Sequence, residues 1–447
     1  MDRRRFVALS GAMACPCVAL AGCVVDNPTG GTGGSDDGDD PVAPGDGADD
    51  HVDRHDDDGD EDDEEEEELE PHDGRPITDY QLEVHDEREN GHVFWVDGDG
   101  VMYGRSGPRV LRSEDWWEST ETIYSFAGDV GEYNDNIVQN VLVPENGRII
   151  AGVGGRGLGH KASGRIELLD EDLEGSTTVY HFEYGRLTGS FGHVVYGDVI
   201  VLGAYGQSDF EGGNHANEVV LSTDGGGSFE RILEAELHTK NAPNLHVHDV
   251  EYDPYAERIW VTVGDGGNSN IYWSDDMGGS WDRITDDANL DLQPTQVAAF
   301  EDCVVFGTDS SPEGIVRWAR EEPDDAPAST EELVRPHVRI EDGPDPDGIG
   351  MRMYARRRWH VREADGRELC IIPFGYSPMH PNARESVVLA SVDGDRWYEL
   401  HRVDDEEVLL TNVLGPLSMD GDRRTLVSDS ALYDGHQIDA TVPEFWR

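Results

Sequence analysis

Short β-rich runs separated by one recurring tight turn are the feature that most restricts this chain. The pattern S-x-D-x-G-x-[ST]-[WF] is met by Ser222, Asp224, Gly226, Ser228 and Phe229, and again by Ser274, Asp276, Gly278, Ser280 and Trp281. Ser391, Asp393 and Trp397 fit a version one residue short, and Ser113, Asp115 and Trp117 a degenerate one. Such a turn is a closed hairpin. The carboxylate and hydroxyl satisfy loop N–H groups, glycine takes φ > 0, and the aromatic ring wedges into the sheet. A second turn recurs earlier in each unit. It falls at Asp97-Gly98, Pro144 to Gly147, Gly197-Asp198, Asp253 to Tyr255, Glu301-Asp302, Asp365-Gly366 and Asp420-Gly421. Apolar strands flank each one, and the spacings of 47 to 64 residues suit one four-stranded sheet with its loops. Little helical periodicity is present beyond residue 77, so the fold class is all-β.

The first turn resembles the Asp box of the sialidase-like, BNR-repeat β-propeller superfamily, over residues 90–440. The resemblance implies a single β-propeller. Seven hairpins imply seven blades, with six blades and an irregular closure as the alternative. Tyr80–Val84 is the expected closing strand, since a ring must hide its edges. In that family the box joins the third and fourth strands of a blade, on the face away from the ligand, so its acids are structural.

Charge restricts partners. Residues 77–447 hold 71 acidic and 29 basic residues, a net of −42, and only Lys161 and Lys240 are lysines. Phosphate neutralisation needs a basic face, so no nucleic-acid partner is expected. Such a domain repels itself in dilute salt, and molar salt screens most of that repulsion. This composition resembles proteins of extreme halophiles, and it reads as adaptation to solvent.

The first 76 residues read as address and tether. Arg3, Arg4, Arg5 and Phe6 precede the apolar run Val7–Ala21, too short for a membrane span. The twin arginines point to Tat export. Leu20-Ala21-Gly22-Cys23 resembles a lipobox, so residues 1–22 are a signal peptide and Cys23 the lipidated N-terminus. Residues 23–76 are an acidic, disordered stalk with almost no apolar content. The domain proper is 77–447. The expected location is the outer face of the cytoplasmic membrane, with the membrane touched through the lipid alone and the protein a monomer. Cys303 and Cys370 sit in apolar strand patterns and are expected as buried free thiols.

Candidate chemistry lies five residues before each early turn. That position reads His92, Gln139, His193, His248, Gln296, His360 and Gly415, four histidines where 17 in 447 residues would place far fewer. The first strand of a blade is innermost, and this position lies near its start, at the channel mouth. His246 points there too. Loops between second and third strands open on the same face and carry His160, His215 and His380, with Asp265 and Asp309. Imidazoles with amides or carboxylates suit a divalent Mn, Zn or Ni, or proton transfer near neutral pH.

A second resemblance is to propeller polysaccharide lyases such as oligogalacturonate lyase, which hold a metal through several His and a Gln. It implies a metal set of His193, His246, His248 and Gln296, with His248, His193 and Arg358 as catalytic candidates. His92, Gln139, His215, His360 and His380 are binding candidates. The implied ligand is a glycan or surface polysaccharide, and the implied activity a lyase or hydrolase. The alternative is a non-catalytic binding or assembly propeller. A true sialidase is not expected, because the early F/Y-R-I-P motif has only the poor imitation Gly74 to Ile77, inside the stalk.

Overall fold

The computed structural model describes residues 83–89, 92–126, 136–154, 164–189, 192–206, 208–209, 214–237, 244–284, 292–308, 314–322, 325–339, 353–355, 358–362, 368–376, 386–403, 410–414, 424–429 and 436–441. The leader, Cys23, the stalk, His160, Asp309, His380 and the turns at 365–366 and 420–421 lie outside the described residues.

The described strands form six four-stranded antiparallel sheets and one of five strands. In five of these sheets the strands follow one another in chain order, as hairpins with short turns produce. The first strand of each sheet begins with a candidate position or lies beside one. These strands are His92–Val96, Ile137–Leu142, His193–Tyr196, His246–Asp253 and Pro294–Ala299. In the sixth sheet Met353–Ala355 and Trp359–Arg362 both pair with Glu368–Tyr376, so the inner position is shared by two pieces. First strands meet first strands. His246–Asp253 packs against His193–Tyr196 and Pro294–Ala299, and His92–Val96 against Ile137–Leu142 and Leu410–Leu414. That arrangement is a β-propeller.

The seventh sheet runs Glu83–Glu89, His436–Thr441, Arg424–Asp429, Leu410–Leu414, so the earliest strand pairs with the latest. The described closing strand, Glu83–Glu89, overlaps the expected Tyr80–Val84 at Glu83 and Val84 and continues beyond it. Its sequence, EVHDERE, has one valine among charges, which suits an outer edge and leaves no apolar signature for periodicity to find.

The box turns join third and fourth strands, as at Glu218–Ser222 and Glu230–Glu234. Ser222 Oγ accepts from the Gly226 N–H at 2.9 Å and donates to Asp224 Oδ1 at 2.8 Å. Asp224 in turn accepts from the N–H groups of Gly227 and Ser228 and from the Ser228 hydroxyl. Gly226 has φ +90°, and a Cβ there would meet Ile150 Cδ1 at 2.2 Å. The turns at Ser113, Ser274 and Ser391 repeat the hydroxyl–carboxylate bond. Between sheets lie apolar clusters, for example Leu142, Ile150 and Ile166 against Ile200, Leu202 and Val220. Cys303 and Cys370 are buried together in one such cluster.

Two outcomes follow for the box. Ser222→Ala should lower unfolding free energy by about 1–3 kcal/mol, because it leaves the buried Gly226 N–H unpaired; denaturant titration in molar salt checks this. The Asp224 carboxyl is lowered to about 2, its hydrogen bonds outweighing partial desolvation. Its stabilising contribution is therefore complete above the ordinary Asp range and lost as pH falls towards 2. The stability difference between wild type and Asp224→Asn should shrink over that interval.

Candidate functional site

Five of the first strands carry a register shift, three of them at or beside the candidate ring position. Shifts fall between Val93 and Trp95, Val138 and Asn140, Val247 and Asp249, Pro294 and Gln296, and Leu410 and Asn412. A bulge re-aims side chains that strict alternation would send to fixed faces. Gln139 and His248 are themselves the extra residues. His246 and His248 therefore reach to opposite neighbours. His246 Nδ1 lies 3.0 Å from the Gly206 carbonyl beyond the third sheet, and His248 Nδ1 lies 2.8 Å from the Pro294 carbonyl of the fifth. A carbonyl only accepts, so each Nδ1 carries a proton; in a neutral ring the Nε2 then offers a lone pair.

Both Nε2 atoms face one carboxylate. Asp265, directly after the Arg258–Gly264 strand, places Oδ1 3.2 Å from His248 Nε2 and 3.5 Å from His246 Nε2. The three residues are 2%, 1% and 1% exposed, in the order His246, His248, Asp265, so water does not compensate their charge. Among the described residues, His246 Nε2 has no hydrogen-bond partner. Burial pushes the Asp265 carboxyl up, but His246 and then His248 outweigh it and hold it well below the usual range. Among the described residues these three are the group whose donor atoms converge, all within 4.8 Å. The Tyr205 ring closes one side, its centroid 4.3 Å from that of His246.

The remaining candidates are placed as follows. Gln296 Oε1 accepts from the Arg358 backbone N–H at 2.9 Å, and its Nε2 donates to the Thr295 carbonyl, so its amide is engaged away from the imidazole pair. His193 is buried at the start of its strand and is not in the convergent group. The Arg358 guanidinium lies inside the sheets, donating to the Val250 and Val297 carbonyls and pairing with Asp249 and Glu251. Burial, only partly offset by Arg358, raises the Asp249 carboxyl to about 6. Gln139 accepts from Arg105, and His215 Nδ1 meets Ser208 Oγ at 2.9 Å. His360 packs on Phe300 with its Nε2 3.5 Å from Glu368, while His92 is half-buried at its strand end. Asp265, named in sequence only as a mouth-loop acid, is the donor that joins the two histidines. Its signal was its position one residue past an apolar strand on the His248 hairpin.

No family model matches the sequence, and no curated protein matches it. Solved structures similar in fold include a chain of the mitotic checkpoint complex (10% identity, TM-score 0.46, 83% of this chain and 92% of that one). The Pseudomonas aeruginosa periplasmic gluconolactonase PpgL is similar at 12% identity and TM-score 0.45, over 80% of this chain and 96% of that one. An oligogalacturonate lyase in complex with manganese is similar at 10% identity and TM-score 0.39, over 79% and 77%. At these identities and scores, none of the likenesses bears on activity.

The site has no room beneath it. A Cβ on Gly264 would stand 2.2 Å from His248 Cε1 and 2.8 Å from its Nε2. Gly264→Ala should therefore displace the His248 ring and break its bond to Pro294. In the histidine NMR spectrum, the His248 signals should move while those of the distant His181 stay in place.

Proposed function

We propose that this protein is a closed seven-bladed propeller that binds or processes glycans at a mouth holding one divalent transition metal, Mn, Zn or Ni. In this reading it is exported by Tat and held as a monomer at the outer face of the cytoplasmic membrane by a lipid on Cys23 and its acidic stalk. The convergence of two imidazole lone pairs and a carboxylate oxygen carries the metal reading. Metal–nitrogen and metal–oxygen bonds of about 2.0–2.2 Å give a tetrahedron with edges of about 3.3–3.6 Å. The two His–Asp265 separations, 3.2 and 3.5 Å, match such edges. Carbonyls behind both Nδ1 atoms fix tautomer and ring orientation, as the outer shell of a metal site does.

His246, His248 and Asp265 would be the protein's ligands, leaving a further position for substrate. A metal held there supplies a Lewis acid that polarises a bound carboxylate or carbonyl. Tyr205 walls the centre, and the half-buried His215, which meets Ser208 Oγ, would be the residue suited to proton transfer. The Asp-box turns support the glycan reading through the superfamily they resemble.

A second reading is favoured by the 3.2 Å His248–Asp265 contact: a proton shared between the two makes a metal-free acid–base dyad. Metal content separates them. The full-length chain, purified in molar salt, should carry about one transition metal by mass spectrometry, lost in His246→Ala/His248→Ala. A metal-free wild type that takes up none of the three ions would sink the metal reading and leave the dyad.

A further inference from the structure

The carboxylate that completes the donor group is itself aimed by a neighbour. Asn244 stands two residues before the His246–Asp253 strand and is 7% exposed. Its Nδ2 donates to Asp265 Oδ2 at 3.0 Å, and its carbonyl accepts from the Asp265 N–H at 2.9 Å. A carboxylate accepts only, so the amide NH2 must face Asp265 and the amide oxygen must face away. That oxygen accepts from the Ser208 N–H at 3.1 Å. Asn268 Nδ2 also donates to the Asn244 carbonyl, at 3.1 Å. All polar atoms of Asn244 named here are thus committed to one orientation.

We propose that Asn244 is the positioning residue of the metal centre: it holds Oδ2 of Asp265 so that Oδ1 faces both imidazoles. The proposal rests on the metal reading above. A buried carboxylate released from one partner turns to find another, and its two oxygens are chemically equivalent. Asn244 removes that freedom. An aspartate here would set two carboxylates about 3 Å apart, which one proton would have to bridge.

The same contact ties the centre to the loop after the Val199–Gly203 strand. Tyr205 of that loop stacks on His246, the Gly206 carbonyl fixes His246 Nδ1, and the Ser208 N–H fixes Asn244. Ser208 Oγ accepts from the Leu245 N–H at 2.9 Å and meets His215. One segment therefore orients His246 directly and Asp265 through Asn244. A ligand that moved this segment at the mouth would alter two of the three donors together.

The test is Co2+ titration of the full-length protein in molar KCl, read by visible absorption, for wild type, Asn244→Ala, Asp265→Ala and the double variant. Asn244→Ala should weaken cobalt binding about 10- to 100-fold and change the band shape, as loss of an outer-shell partner does. In the Asp265→Ala background the same change should add little, because its route to the metal is gone. Thermal melting establishes that each variant is folded, and Asn244→Ser, whose hydroxyl cannot span the gap, replaces Asn244→Ala if the latter is not. A folded variant that binds cobalt like wild type would overturn the proposal. So would an equal loss with and without Asp265, which marks a general structural effect. A wild type that takes no cobalt overturns the metal reading first and this proposal with it.

Discussion

Carrying a polar strand through a dry interior is the constraint on which this structure depends. The strand His246–Asp253 bears two imidazoles and three acids, all buried. Each unpaired charge there would cost several kcal/mol. Partners therefore have to arrive from other sheets. The Gly206 and Pro294 carbonyls take the Nδ1 protons of the histidines. Arg358 of the sixth sheet meets Asp249 and Glu251, and Arg320 meets Asp253 at 2.6 Å while Trp260 Nε1 donates to the same carboxylate. These contacts cross sequence separations of 40 to 109 residues, apart from Trp260, and they bind the fourth sheet to its neighbours in one register. Removing one partner leaves a buried charge, so the set is held together by the cost of breaking it more than by its net worth.

The cations that serve this interior are arginines, in a chain with only two lysines. A guanidinium is planar, always charged and rich in donors, so one side chain can meet a carboxylate and backbone carbonyls together. Arg358 and Arg320 each do so. The surface acids carry the opposite problem, self-repulsion, which salt screens. Interior and exterior charge are thus managed by different means. That is why a large negative net charge says little about the site.

Much of the fold was legible because its signals are local. A box turn needs only Ser, Asp, Gly and an aromatic within eight positions, and the third-to-fourth-strand placement follows. The histidine register was legible for the same reason, since the early turn fixes how far each residue lies from the mouth. The composition of the donor group was not. A bulge at His248 breaks the period of two, so His246 and His248 turn to different neighbours. Gln296 stands at the expected height, yet its amide meets Arg358 across sheets, and no spacing encodes that encounter. Arg358, a catalytic candidate by resemblance alone, is buried beside Asp249 and Glu251, which makes it a counter-ion.

The charge balance of the centre bears on what it does. In the proposed metal reading both imidazoles are neutral and the carboxylate ionised, so three electron-rich atoms would face one another with almost no water. That arrangement is unfavourable until a cation enters it. A proton relieves only one contact, and His246 Nε2 would still face Asp265 Oδ1 without a hydrogen. A divalent ion relieves all three contacts and uses both fixed tautomers as they stand. The same carbonyls that hold the Nδ1 protons disfavour the alternative tautomers that would let each histidine donate to Asp265 by itself. In the proposed metal reading, the outer contacts would therefore favour the divalent ion over the proton.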